Sequence, residues 1–353
     1  MRVTSSFENF DGVRFTRLGV TLQPNRMKEE RGGILNPACA RLSDGSLQLY
    51  PRMVAAGNIS RIGSFRAREN ASRLLVVEQQ GYALEPQAPY EMREGTGGYG
   101  CEDPRVTYIA ALDRYAMAYV AFGPRGPEVA VAISRDGLQW DRLGLVRFQE
   151  KETPFADKDA AFFPEPVRAP SGTLALALYH RPTLQQSLQG GPQALQTIAS
   201  LPAQKHEGIS IAYAPLDDVL ADVTRLCAMT ETHRLAIPPA NWGTVKVGAG
   251  TPPVRIREGW MSIVHGVDVL PGSKDGVLRY CAGLVVHDAD CVERVLYRSQ
   301  DPLFVPEVCG EISGAVRNVV FPTAIDPLPG GRSFDVYYGM GDYEIGRGRL
   351  TLP

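Results

Sequence analysis

The chain has 353 residues, 44% of them hydrophobic and 22% charged, with a formal net charge of −2. That balance describes a globular chain with a sizeable core, long enough for one large all-β domain or two ordinary ones. It gives no general pull toward nucleic acid or an anionic membrane, so any anion site has to be a local basic cluster. No apolar run reaches the length of a membrane span, and residues 1–8 lack the apolar core of a secretory leader. The six cysteines have no CxxC spacing, which argues against a zinc site or a disulfide framework. They read as thiols in a reducing, cytoplasmic setting.

Residues 1–35 read as an extended N-terminal lead-in, and residues 36–353 show no boundary that divides them. Short runs rich in Val, Ile, Tyr and Phe occur at 106–110, 115–120, 129–133, 173–178, 209–213, 260–264 and 335–338. Gly, Pro, Asp and Asn punctuate them, the pattern of many short strands. Three runs pass into similar polar turns: Ser134-Arg135-Asp136-Gly137, Pro215-Leu216-Asp217-Asp218 and Ser299-Gln300-Asp301-Pro302. A unit that recurs every several tens of residues suits a β-propeller, with a two-sheet sandwich as the second reading. Helix is scarce. Residues 215–226 read as one short helix capped near Asp217, and 185–201 as a loop or short helical insertion.

The most informative stretch is Gly100-Cys101-Glu102-Asp103-Pro104-Arg105. It sets two carboxylates and a guanidinium beside a proline, after the pliant Gly97-Gly98-Tyr99-Gly100. Pro104 should push Asp103 into an extended conformation. An acid held stiffly beside a fixed cation suits proton transfer to a sugar or phosphate ester; a solvated turn in which Arg105 pairs with Glu102 is the plainer reading. Four further clusters carry chemistry: Asp157-Lys158-Asp159 before Phe162-Phe163-Pro164-Glu165, Tyr179-His180-Arg181-Pro182, the glycine-rich 242–253 with Lys246, and the strand ending at His265. Each is also readable as an ordinary loop or strand end. If Lys158, His180, Arg181, Lys246 and His265 meet, they form an oxyanion pocket of phosphate size. The segment around Lys246 is no P-loop, because its spacing is wrong and no helix follows.

The order of these blocks resembles glycoside hydrolase family 130, the β-mannoside phosphorylases. The blocks are Asn36-Pro37-Ala38, Ser60-Arg61-Ile62-Gly63, Gly100 to Arg105, Lys158 to Glu165, His180-Arg181-Pro182, Lys246 to Pro253, His265-Gly266 and Tyr337 to Asp342. The resemblance implies a five-bladed β-propeller over residues 36–353 with the active site at one end of its channel. It implies an inverting reaction in which inorganic phosphate, as co-substrate, cleaves a β-1,2- or β-1,4-mannosidic bond and releases α-mannose 1-phosphate. Asp103 then matches the proton donor, acting through a hydroxyl of the bound mannose. Asn36, Arg52, Ser60 and Asp342 match positions around the mannose ring, and Arg61, Glu102, Arg105 and Asp159 fall in the same substrate-binding blocks. Lys158, Arg181 and Lys246 match basic positions around the phosphate, with His180 and His265 close by. The chain departs from the family at Val264, where many relatives carry an aromatic residue, and at Thr323-Ala324, where Cys-Gly is usual.

An inverting hydrolase needs an acid and a second carboxylate to activate water. A phosphorylase needs only the acid, because phosphate is itself an anionic nucleophile that a second carboxylate would repel. The cationic set therefore favours phosphorolysis. The hydrolase alternative would use Glu165 or Glu102 as base, and a non-catalytic carbohydrate-binding propeller is the third reading. No metal or organic cofactor is implied, since the carboxylates and histidines lack ligand spacing. The expected partners are a β-linked manno-oligosaccharide and phosphate, with neither nucleic acid nor membrane; exposed sheet edges are compatible with a homo-oligomer.

Overall fold

The computed structural model describes residue 10 and residues 12–25, 28–69, 75–148, 156–183, 207–270, 272–273 and 276–353. The insertion expected at 185–201 lies outside these residues. Among them every long element is a strand, and the fold is all-β.

Apart from a short parallel pairing of Arg147–Phe148 with Ala228–Met229, the longer described strands fall into five antiparallel sets in chain order. The first comprises Gly33–Arg41, Leu47–Ala55, Ile59–Glu69 and Leu75–Leu84, and the second Tyr99–Ile109, Arg114–Gly123, Gly126–Ser134 and Asp141–Leu145. A short parallel pairing of Ile59 and Ser60 with Tyr99 and Gly100 joins these two. The third is Ala156–Phe162, Leu174–Thr183, Ser210–Pro215 and Glu231–Arg234. The fourth is Lys246–Ala249, Gly259–Val269, Leu278–His287 and Val295–Arg298. The fifth, Val320–Pro327, Ser333–Met340 and Glu344–Thr351, is completed by Arg14–Leu22, which pairs with Glu344–Thr351. The segment that the sequence sets apart as a lead-in thus supplies a strand to the last sheet. The apolar runs read as strands fall where strands are found.

Buried side chains explain how the sets sit together. Five apolar clusters each fill the space between two sets: Tyr50 with Met117, Val131 with Leu178, Tyr213 with Trp242, Ile263 with Val336, and Leu49 with Tyr337. The last of these packs the first set against the fifth. The leading strands meet near the middle: Gly33–Arg41 lies against Tyr99–Ile109 and Val320–Pro327, and Ala156–Phe162 against Tyr99–Ile109 and Lys246–Ala249.

The helix expected over 215–226 is broken in two. Leu216–Ala221 is α-helical with no side-chain cap, and Asp222 caps a separate 3-10 turn, Val223–Cys227, by accepting from Thr224 N at 3.0 Å. Asp217 and Asp218 lie in the first turn, where their charge favours the amide end.

A buried glutamate clamp appears twice. Glu91 Oε2 accepts from the amides of Gln87 and Ala88, and its Oε1 from Tyr119 Oη and Arg142 Nε. Glu311 Oε2 accepts from the amides of Glu307 and Val308, and its Oε1 from Tyr338 Oη and Arg17 Nε. In each case the arginine comes from the outermost strand of the set, so the clamp fastens that edge to the loop leading into a sheet. Truncating one member of a buried pair strands the other charge, at a cost of about 3–5 kcal/mol. Arg17→Ala and Arg142→Ala should therefore each lower unfolding free energy by about 3 kcal/mol or more, read by denaturant titration; a loss under about 1 kcal/mol would show that the clamp is ornamental.

Candidate active site

Three of the leading strands are interrupted near their starts by an extra residue. Pairing slips between Leu35 and Ala38, between Glu102 and Arg105, and between Lys158 and Ala161. At these bulges Asn36, Asp103 and Asp159 have φ of +44°, +45° and +57°. Asn and Asp are the side-chain-bearing residues that tolerate this left-handed region best. Asp103 is therefore not extended, contrary to the preference set by Pro104; strand pairing on both sides of the bulge overrides that local bias. Gly100 lets the strand dock: a Cβ there would lie 2.1 Å from the Ser60 carbonyl oxygen.

Asp103 is gripped from several sides. Its Oδ1 accepts from Asn36 Nδ2 at 2.9 Å and Arg52 Nη1 at 3.2 Å, and its carbonyl accepts from Arg105 Nη1 at 2.7 Å. Arg52 also donates to Ser60 Oγ at 3.0 Å and to Glu102 Oε1 at 2.8 Å. Burial opposes ionisation of Asp103, but Arg52, Arg105, Asn36 and Lys158 outweigh it and hold the carboxyl below its ordinary range. Asp342, in the turn between the last two strands of the fifth set, behaves oppositely. Burial and the nearby Asp103 charge push it up to about 6, against the pull of Arg52 and Lys158. A second carboxylate does face the acid, contrary to expectation, but it is one that protonates readily.

A second cluster adjoins the first. Arg181 donates from Nε to Asp159 Oδ2 at 2.5 Å and from Nη1 to Glu207 Oε2. His265 Nε2 is 3.6 Å from the same Asp159 oxygen. Its burial, reinforced by Arg181, Lys246 and Arg105, drives its pKa down to about 3, so the ring is neutral. Lys246 Nζ lies 5.4 Å from the Tyr280 ring centre, and Lys158, register partner of Arg181, is close enough to Asp103 and Asp342 to act on both. Gly248 makes room: a Cβ there would stand 2.3 Å from His265 Cε1 and 2.4 Å from Asp159 Oδ2. Arg181 and Asp159 are thus engaged with one another, both buried.

The structure thus gathers Asn36, Arg52, Ser60, Glu102, Asp103, Arg105, Lys158, Asp159, Arg181, Lys246, His265 and Asp342 into two touching clusters. Two of the expected residues stand apart. Arg61 points to the other face of its strand, with Nε on Glu85 Oε1 at 3.2 Å and its guanidinium over Tyr82. His180 likewise faces away from Arg181; its Nδ1 meets Asp157 Oδ2 at 2.7 Å and its ring stacks on Phe148. Strand alternation dictates both outcomes, since neighbours in sequence take opposite faces. Of the two carboxylates considered as a hydrolytic base, Glu165 is exposed beyond the end of Ala156–Phe162, and Glu102 accepts from Arg52 and Ser60. Val264 packs into the apolar cluster with Trp242 and Trp260, and Thr323 Oγ1 donates to the Pro37 carbonyl at 2.7 Å. Sequence reasoning did not single out Glu207, Tyr280 or Phe321; the Phe321 ring lies 4.4 Å from that of His265, tilted by 40° to it.

A family model described as beta-1,4-mannooligosaccharide phosphorylase matches residues 14–195 and 224–352. The chain belongs to glycoside hydrolase family 130. That makes it an enzyme of glycoside phosphorylase type. A 1,2-beta-oligomannan phosphorylase of Thermoanaerobacter sp. (strain X514) is 27% identical over 341 residues, 94% of each chain. Among solved structures, the β-1,2-mannobiose complex of a β-1,2-mannobiose phosphorylase from Listeria innocua aligns with TM-score 0.61 and 21% identity, over 99% of this chain and 92% of that one. A second, from work on family 130 hydrolases that target β-1,2 mannosidic linkages in Candida mannan, aligns with TM-score 0.68 and 18% identity, over 96% and 94%. At these identities the two structures show likeness of fold.

Two outcomes follow from the geometry. A raised carboxyl in the folded state contributes stability below its unfolded pKa and loses it as pH rises through the folded value. Between pH 4 and 7.5 the wild type should therefore lose about 2–5 °C of Tm relative to Asp342→Asn, read by differential scanning calorimetry in matched buffers. Parallel Tm curves would show that Asp342 is not raised. Gly248→Ala, which places a methyl against His265 and Asp159, should cut kcat/KM by about tenfold or more, a loss of about 1.4 kcal/mol in transition-state binding. Unchanged kinetics would mean that this close approach carries no function.

Proposed function

We propose that this family 130 enzyme is an inverting β-mannoside phosphorylase, cleaving a β-1,2- or β-1,4-linked manno-oligosaccharide with inorganic phosphate to give α-mannose 1-phosphate. On this reading the five sets of strands are the blades of a five-bladed β-propeller and the two clusters flank one end of its axis. The observation that carries it is the adjacency of Asp103 to the Lys158, Arg181 and Lys246 cluster, with Arg105 acting electrostatically on both Asp103 and Asp159.

The chemistry follows. Phosphate is held by the basic groups on the face of the sugar opposite the leaving oxygen, and attacks the anomeric carbon as the glycosidic bond breaks. The leaving oxygen takes a proton from a mannose hydroxyl, which Asp103 restores, and inversion gives the α-phosphate. Asp103 must enter this cycle protonated, although in the free enzyme its cationic neighbours favour the carboxylate. A bound phosphate dianion offsets those cations and raises the carboxyl pKa, so nucleophile binding arms the acid. Asp342 is compatible with an incoming anion because it is neutral over part of the working range. Its ionisation would set it against phosphate.

The test uses β-1,2- and β-1,4-mannobiose with and without phosphate, followed by phosphorus NMR. Turnover should require phosphate and yield an α-configured mannose 1-phosphate. Asp103→Asn should lower kcat by about 10²–10⁴ while the protein stays folded. Phosphate-independent release of mannose would replace this reading with hydrolysis in which Asp342 serves as the second carboxylate, and near-normal rates for Asp103→Asn would remove Asp103 from the mechanism.

A further inference from the structure

We infer that Arg105 is a positioning residue that fixes the acid relative to the anion cluster by tying the backbones of the second and fourth sets together across the middle of the molecule. The inference rests on the proposed reaction for its kinetic consequence, but not for its geometry.

Arg105 is 1% exposed, among the largest fully buried side chains of the protein. It sits two residues beyond Asp103, just past the bulge. Its guanidinium makes no hydrogen bond to a carboxylate among the described residues. Instead Nη1 donates to the Asp103 carbonyl at 2.7 Å and Nε donates to the Gly250 carbonyl at 2.6 Å. The guanidinium lies 5.6 Å from the ring centre of Phe321, in the fifth set. Gly250 directly follows Lys246–Ala249, the strand that carries Lys246 and Gly248 into the anion cluster. A single side chain thus bridges the acid's own carbonyl and the strand that presents the cations.

This is an expensive way to build a core. Burying a guanidinium costs heavily unless its charge is matched, and here its hydrogen bonds go to neutral carbonyls. Apolar side chains would fill the same space at lower cost. What they would not do is fix Asp103 in its left-handed conformation, which local preference opposes. The side chain of Asp103 is held by the first set through Asn36 and Arg52; its backbone is held toward the fourth by Arg105. A lysine in place of Arg105 keeps the charge but lacks the fork that reaches two carbonyls in different directions.

The experiment compares Arg105→Lys and Arg105→Gln with the wild type in phosphorolysis, measuring kcat, the KM for phosphate and the pH dependence of kcat. Positioning predicts a 10- to 100-fold fall in kcat for Arg105→Lys, with the KM for phosphate within threefold and the alkaline limb unmoved. For Arg105→Gln the fall should be at least as large, and the alkaline limb should move to higher pH. That limb reports loss of the proton from Asp103, which faces Arg52, Arg105, Lys158, Glu102, Asp342 and Asn36; removing one cation makes the proton harder to lose. Rates within threefold of wild type, or a tenfold rise in phosphate KM with kcat retained, would overturn the inference. Arg105→Lys keeps the comparison alive if the neutral variant does not fold. Absence of phosphate-dependent turnover in the wild type would defeat the proposed reaction alone. The crystal structure of Arg105→Lys then decides: Asp103 should leave its left-handed conformation or its contact with Asn36, and an unchanged bulge would overturn the inference.

Discussion

The left-handed bulges at Asn36, Asp103 and Asp159 are the constraint from which the rest follows. A regular strand presents alternate residues to its two faces and leaves its backbone pairing intact. One extra residue with positive φ swings a short polar side chain out of that alternation and toward the centre. The same device in three neighbouring strands delivers an amide and two carboxylates to one region without any long loop. Only a residue with a short polar side chain, or glycine, takes that backbone at modest cost. That explains why the three positions hold Asn and Asp rather than the longer Gln and Glu, which could not occupy the bulge as easily.

Charge compensation sets the chemistry on that frame. Arg52, Arg105, Lys158, Arg181 and Lys246 share the region with Glu102, Asp103, Asp159, Glu207 and Asp342, so its charge is close to balanced and depends on how far Asp342 is ionised. The ten groups are unequal. Asp159 is driven strongly toward its ionised form by Arg181 and neighbouring cations, whereas Asp342 gives up its proton late. Two carboxyls with oppositely shifted affinities beside one another are what acid–base work needs, and burial amplifies the difference because water is too scarce to level it.

Much of this was legible in the sequence, and the rest was hidden for definable reasons. The strand-rich rhythm and the blocks around Asp103, Lys158, Arg181, Lys246 and His265 located both clusters, because backbone pairing forces sequence-local motifs to one end of their strands. What failed was the assignment of faces. Arg61 and His180 each neighbour a true member of the cluster, Ser60 and Arg181, and in a regular stretch of strand adjacent residues take opposite faces, so membership of a block does not say which of two neighbours points inward. Conformation at Asp103 also failed, since the bias of a following proline is a local preference and pairing across the bulge is a stronger, non-local one. Glu207 and Phe321 were invisible because a single buried side chain approaching from a segment distant in sequence leaves no spacing to read.

The pairing of Arg14–Leu22 with Glu344–Thr351 has a consequence for how the molecule is made. A ribosome emits the first of these strands long before its partner, which puts Phe15 in water while more than three hundred residues follow. Each of the earlier sheets can assemble from segments emitted in quick succession. The fifth cannot be completed until the last of them is made, and until then the edge of Glu344–Thr351 that Arg14–Leu22 covers is open to capture by another molecule.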